Sequence, residues 1–193
     1  MTMAWIAIVL LALVIAAVGA AGYGVSLYNG LVQVKHQVDQ AWANIDVLLK
    51  QRHDELPKLI DAVKAYVTHE RSVLENVTAL RTRAQAGGTG TERVAAEQAL
   101  SQGVSQLLAV AERYPQLRAS EVFVDLQARI SALEEQIAHR REFYNAAVNL
   151  NNVRMEQFPD MLLASFAQLT RKPLFEAAVA ERSDVDVGAR LGA

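Results

Sequence analysis

The chain has no cysteine among its 193 residues, so a disulfide frame, a thiolate nucleophile and a lipid-modified cysteine are all excluded. It also lacks a charge excess. Lys and Arg number 19 against 21 Asp and Glu, a formal net charge of -2, which gives no global attraction to nucleic acid or an acidic lipid surface. Nucleic acid is not an expected partner. The sequence has no phosphate-binding glycine loop with its lysine, no Gly-x-Ser-x-Gly elbow and no dinucleotide glycine pattern. Long-period repeats and low-complexity tracts are absent as well. Proline occurs only four times, each time near an expected helix boundary.

What the sequence does have is one long apolar run. Residues 3–21 carry no charged or polar side chain. At about 1.5 Å of rise per residue they span the roughly 30 Å hydrocarbon core of a bilayer. Trp5 lies near the start of the run and Tyr23 and Tyr28 follow its end, where amphipathic rings favour headgroup layers. Gly19, Ala20 and Ala21 would suit a signal peptidase. Yet no Lys or Arg precedes the run, and it is long for the core of a signal peptide, so an uncleaved anchor over 3–24 is favoured. Lys35, Lys50 and Arg52 follow the span and no basic residue precedes it. The positive-inside rule then puts the N-terminus outside and the remainder in the cytoplasm. Ala12, Ala16, Ala20 and Gly24 recur every four residues, a ridge that would let a second copy pack closely.

Beyond the anchor, apolar residues recur at helical spacing. Leu27, Leu31, Val34, Val38, Ala41, Ile45 and Leu48 form a heptad seam beside Trp42. Asp54 can cap a new helix with Pro57 in its first turn, so a break near 51–54 is expected in preference to one long helix kinked at Pro57. A second helix then runs over about 55–86 on Leu56, Leu59, Ile60, Val63, Tyr66, Val67, Leu74, Val77 and Leu80. Gly87-Gly88-Thr89-Gly90 ends it. A third covers about 91–113 on Val94, Leu100, Val104, Leu107, Leu108 and Ala111. After a Tyr114-Pro115-Gln116-Leu117 turn, Ser120 caps a fourth over about 121–157. Its seam is Phe123, Leu126, Ile130, Leu133, Ile137, Tyr144, Val148, Asn151, Met155 and Phe158. Pro159 closes it, and a short helix over 160–169 precedes Arg171-Lys172-Pro173.

The expected fold class is therefore all-α: an N-terminal transmembrane helix followed by an antiparallel up-and-down four-helix bundle of long helices. The anchor occupies 3–24, the bundle 25–178 and a mobile polar tail 179–193. This topology brings the 51–54 and 114–117 turns together at the far tip. It leaves the glycine loop and the 160–175 segment near the bilayer.

Candidate chemistry is sparse. A di-iron bundle needs Glu-x-x-His on two helices, and none of His36, His53, His69 and His139 has Glu three residues before it. No His pair has zinc spacing. No cofactor, metal or catalytic residue is assigned. The polar residues on the fourth-helix seam are more informative: Arg140, Arg141, Asn145, Asn149, Asn151 and Asn152. One reading pairs them with Asn29, Asp39 or Asn44 of the first helix to fix the register of the bundle. The other makes them a face for a protein partner or a second copy. At the tip, Arg52 and Asp54, near Tyr114 and Arg118, form either a capping ion pair or a docking surface. Met161, Leu162, Leu163, Phe166 and Leu169 either plug the open end of the bundle, the favoured reading, or lie in the bilayer surface.

These features resemble the LemA family. The resemblance is carried by Tyr28-Asn29-Gly30-Leu31-Val32, Ala41-Trp42-Ala43-Asn44-Ile45-Asp46-Val47, Arg52 and Asp54 with Leu56-Pro57 and Leu59, and Val63-Lys64-Ala65-Tyr66 with His69-Glu70. It continues through Tyr114-Pro115 and Leu117, Phe123, Leu126-Gln127, Ile137, Arg140, Arg141, Tyr144-Asn145 and Phe158-Pro159, covering about 28–175. Gln51, Glu55-Leu56-Pro57-Lys58 and Ser165-Phe166 depart from the usual pattern. The resemblance implies a bacterial membrane protein with an outside N-terminus and a cytoplasmic helical bundle. One branch of the family is linked to building magnetosome membranes, and for most members no activity is established. The expected function is a non-enzymatic scaffold or interaction module at the inner membrane, contacting lipid and an unidentified protein. The alternatives are a regulatory adapter or stress-linked sensor, and an enzyme or metal-binding bundle with no nameable site.

Overall fold

The computed structural model describes residues 2–67, 70–88 and 90–175. In chain order the elements are α1 (Thr2–Lys64), α2 (Arg71–Gln85), α3 (Gly90–Ala111), α4 (Pro115–Arg118), α5 (Glu121–Arg154) and α6 (Asp160–Ala164). The described residues are helical, with turns and loops between the helices and no strand. The expected tail over 179–193 lies outside the described residues, as do His69 and Thr89.

The main departure from expectation is the length of α1. No break occurs at 51–54, and the helix passes through Pro57 to Lys64. Two local causes account for this. First, the buried positions Ile45, Leu49, Arg52, Leu56, Leu59 and Val63 step by four and three without interruption, so one helical face stays buried throughout. Second, proline removes the N–H that would otherwise bond to the carbonyl four residues back. That carbonyl belongs to His53, and Arg81 of α2 donates to it from Nε at 3.0 Å. The guanidinium replaces the missing backbone donor, so the cost of an orphaned carbonyl is avoided.

Instead α1 ends at Lys64 and α2 begins at Arg71. Tyr66 and Val67 N–H groups both donate to the Val63 carbonyl, at 3.0 and 3.1 Å. Arg113, just past α3, pairs with Glu70 at 3.0 Å. Glu70, rather than the 51–54 stretch, thus lies beside Arg113, and α2 is correspondingly shorter than the expected 55–86 helix. Its other end is as expected. Gly87 (φ 73°) and Gly88 (φ 135°) take left-handed conformations that L side chains rarely adopt. A Cβ on Gly103 would lie 2.8 Å from Leu80 Cδ1, so α2 and α3 approach closely because this position has no side chain. Pro115 opens α4, and Ser120 Oγ accepts a long bond of 3.5 Å from Phe123 N–H at the start of α5.

The fold divides into two compact units, with α1 and α5 contributing to both. The first comprises Met1–Ala43 and Ala146–Lys172. Its apolar α1 residues from Met3 to Val25 are exposed, and α1 is long and apolar enough to cross a membrane. A small core joins Leu31 to Ala164, Ala167 and Leu169, with Val32, Met155 and Leu163 against it. Part of the 161–169 segment therefore does plug against α1, whereas Met161, Leu162 and Phe166 stay exposed. The second unit comprises Asn44–Asn145 and the described residues from Pro173. Its core draws on five helices: Leu56, Leu59 and Val63 of α1, Val77 of α2, Leu100, Val104 and Leu107 of α3, Leu117 of α4, and Phe123 and Ile130 of α5.

The role of Arg81 predicts a specific coupling. Arg81→Met is expected to cost about 1–3 kcal/mol, the range for leaving a buried acceptor unpaired. In a Pro57→Ala background, where the helix supplies its own N–H, the cost shrinks by about 1 kcal/mol. A denaturant double-mutant cycle in detergent measures this, and equal costs in both backgrounds would contradict it.

Candidate functional site

The second unit contains a buried charged network built at seam positions. On each of three helices, one position of the apolar stripe is occupied by a charged side chain: Arg52 on α1, Glu97 on α3 and Arg141 on α5. Arg52 is fully buried. Its Nη1 donates to Ser101 Oγ at 2.6 Å and to Glu134 Oε1 at 2.8 Å. Its Nη2 donates to Glu97 Oε2 at 2.5 Å and reaches the Glu97 carbonyl at 3.4 Å. Ser101 Oγ donates to Glu134 Oε2 at 2.9 Å and accepts from Arg141 Nη2 at 3.1 Å. Two guanidiniums and the Glu134 carboxylate therefore converge on one serine hydroxyl, and with Glu97 on the far side of Arg52 the charges of the two arginines and two glutamates cancel.

His53, next to Arg52, adds a second contact to Glu97: Nε2 lies 3.0 Å from Oε1. An ionised carboxylate only accepts, so Nε2 carries the proton in this contact. Burial, the largest influence on Glu97, pushes its pKa up. The His53 hydrogen bond, with the charges of Arg52 and His53, outweighs it and holds the carboxyl below its ordinary value. The network is arranged to hold helices together. Among the described residues no group of three or more His, Cys, Asp or Glu could hold a metal ion. A cavity of about 450 Å³ is lined by Leu108, Glu112, Arg118, Phe123, Val124 and Gln127, none of them a network member.

A second polar system fastens the chain after α6. In the first unit, Asn151 is buried and donates from Nδ2 to the Thr170 carbonyl at 2.9 Å. Asn152 donates to the Lys172 carbonyl and accepts from Lys172 N–H, each at 3.3 Å. In the second unit, Asn145 treats Phe175 likewise, donating to its carbonyl at 2.8 Å and accepting from its N–H at 2.9 Å. Tyr144 donates from its hydroxyl to the Pro173 carbonyl at 3.1 Å, and burial pushes this phenol's pKa up. The Phe175 ring meets Tyr144 edge-on at 5.5 Å and receives the Arg141 guanidinium over its face at 4.9 Å. An asparagine amide offers one donor and one acceptor in the geometry of a backbone peptide, so it can clamp an extended strand without a sheet.

The residues singled out from the sequence separate accordingly. Arg52 lies inside the core, not at a tip, and its partners are Glu97 and Glu134; the expected Arg52–Asp54 pair does not form, and Asp54 is exposed. Arg141 and Asn145 are partly buried in the network and the clamp, while Arg140 and Asn149 are exposed. The clamping asparagines bond to backbone of the C-terminal segment rather than to Asn29, Asp39 or Asn44. Sequence reasoning did not identify Glu97, Ser101, Glu134 or His53 as network members. The missing seam position between Val94 and Leu100 is the trace that Glu97 leaves in the sequence.

Two predictions follow from this geometry. Because Glu97 has a lowered folded-state pKa, its stabilisation is present above its unfolded value and is lost as pH falls through the folded one. Glu97→Gln should therefore lower stability by about 3 kcal/mol at neutral pH and flatten the fall of stability below about pH 4. Urea unfolding across a pH series tests this, and parallel curves for the two proteins would contradict it. Asn145→Ala should cost about 1–3 kcal/mol by orphaning both Phe175 backbone groups, while Asn149→Ala stays within about 0.5 kcal/mol. Comparable melting temperatures for the two variants would exclude the clamp as a stabilising device.

Comparison with known proteins follows the same stretch of chain. A family model described as the LemA family matches residues 41–188. Magnetosome protein MamQ 2 of Paramagnetospirillum magneticum is 23% identical, over 77% of this chain and 64% of its own length. Protein LemA of Metamycoplasma hominis is 25% identical, over 82% of this chain and 73% of its own. Magnetosome protein MamQ of Magnetospirillum gryphiswaldense is 21% identical, over 77% and 64%. The chain thus spans just under two thirds of the length of the magnetosome relatives.

Proposed function

The chain belongs to the LemA family, and on that premise we propose that it is a non-enzymatic, single-span protein of the bacterial inner membrane whose helical bundle works as an interaction or scaffolding module. In this reading α1 crosses the bilayer once with its N-terminus outside. The last part of α1 with α2, α3 and α5 forms an up-and-down four-helix bundle in the cytoplasm.

The observation that carries the reading is the use made of α1. The same helix is exposed and apolar from Met3 to Val25 and supplies the fully buried Arg52 further along. An apolar face of that length has a partner only in lipid or another apolar helix. The charges of Arg52, Glu97 and Glu134 are paired with each other inside the bundle. The names of the magnetosome relatives fit a role at a membrane. Contact with a protein partner then falls to exposed side chains, including Asp54, Arg140 and Asn149. A second copy packs along the ridge of Ala12, Ala16, Ala20 and Gly24.

Two measurements on native membranes test the proposal. The full-length protein is expected to stay with membranes through alkaline carbonate washing, and a photo-crosslinker at Arg140 or Asn149 is expected to capture a discrete protein adduct. Release by carbonate would refute the anchor, and a crosslinker that yields only unreacted monomer would refute the interaction module.

A further inference from the structure

We infer that residues 158–166, which comprise α6 and the residues on either side of it, form an apolar foot that inserts into the bilayer interface beside the α1 span. The observations come from the first unit. Phe158 is 78% exposed, Met161 51%, Leu162 59% and Phe166 73%. Their spacing of three, one and four residues puts them along one side of the segment. The other side is committed: Ala164 and Ala167 are buried against Leu31, and Asp160 is buried with Arg154 at 2.5 Å. Two exposed phenylalanines flanking exposed Met and Leu make an apolar patch of the kind that marks an interaction surface.

Continuity with α1 identifies what covers it. Residues 2–34 of the chain contain no charged side chain, and Lys35 is the first. Thirty-three residues of helix are about 50 Å long, more than the hydrocarbon core and both headgroup layers together, about 40–45 Å. With the Trp5 and Tyr28 rings in the two headgroup layers, about 35 Å apart along the helix, Leu31, the residue the foot packs on, lies about 5 Å beyond Tyr28, at the outer edge of the headgroup layer. Amphipathic segments at that level bury their apolar faces about 5–10 Å into the headgroup and acyl boundary. Lys35 donates to Gln168 at 3.5 Å, which places an ammonium at the edge of the foot. The acids of this stretch are neutralised locally, Asp160 by Arg154 and Glu156 by Arg171. Nothing uncompensated there repels an anionic leaflet.

This inference rests on the membrane-spanning reading of α1, and the experiment separates the two. The chain has no cysteine, so single spin labels can be placed at Val14, Val47, Phe158, Leu162 and Phe166 by cysteine substitution in the full-length protein. The substituted side chains are all exposed, so folding is retained. The protein is reconstituted in vesicles of phosphatidylethanolamine and phosphatidylglycerol. Accessibility is read against oxygen, which concentrates in lipid, and a water-soluble nickel complex. The expected result is a lipid-type ratio at Val14, an aqueous ratio at Val47, and ratios shifted toward the lipid type at Phe158, Leu162 and Phe166. Aqueous ratios at all three foot positions with a lipid ratio at Val14 would overturn the foot alone. An aqueous ratio at Val14 would overturn the span itself. Foot positions shielded from both reagents would mean that protein, a partner or a second copy, covers the patch, and would also overturn the inference.

Discussion

The second unit depends on an arginine with almost no freedom. Arg52 is fully buried, and a guanidinium cannot shed its charge in a protein. Every nearby acceptor is therefore constrained. Glu97 must stay ionised, Glu134 must turn inward although part of it reaches solvent, and Ser101 must bridge the two sides. The planar fork of Arg52 spreads its donors in fixed directions, so α3 and α5 can satisfy it only at one rotation and one height. Apolar side chains stepping along a heptad seam tolerate a slide of one turn far better. A buried polar cluster supplies the missing register, as single polar seam residues do in coiled coils.

The same logic extends outward from Arg52. Its neighbour His53 turns its ring to Glu97 and, through its carbonyl, takes the Arg81 guanidinium in place of the N–H that Pro57 lacks. One stretch of α1 thus contacts α2, α3 and α5 by polar bonds. Farther along α5, Arg141 links the network to the Asn145 and Tyr144 clamp by lying over Phe175. The asparagine clamp fastens an extended segment that has no helix or strand of its own.

Much of this was legible in the sequence, and the failures have physical causes. The all-helical class, the apolar span, the glycine stop after α2 and the start of α5 follow from periodicity and capping. The continuity of α1 did not, because Arg52 fills a seam position that normally takes an apolar residue. Asp54 and Pro57 together also imitate a helix start, and the compensating donor for Pro57 comes from Arg81, far away in sequence. The network is half visible: Arg141 stands out as a polar intrusion on the seam, but Glu97 shows only as a gap in the α3 stripe. The asparagines stand out by their position, yet their partners are backbone atoms of an extended segment, which no side-chain pattern reports.

The most direct test of this account is a distance measurement across α1 and α5. The cysteine-free chain accepts spin labels at the exposed positions Val47 and Glu135, both in the second unit. Pulsed dipolar spectroscopy then compares the native network with Arg52→Met, Glu97→Leu and Glu134→Leu combined. With helicity retained, a single narrow distance that becomes broad or multiple in the apolar variant is the predicted result. An equally narrow, unshifted distance would contradict the view that these charges set the register.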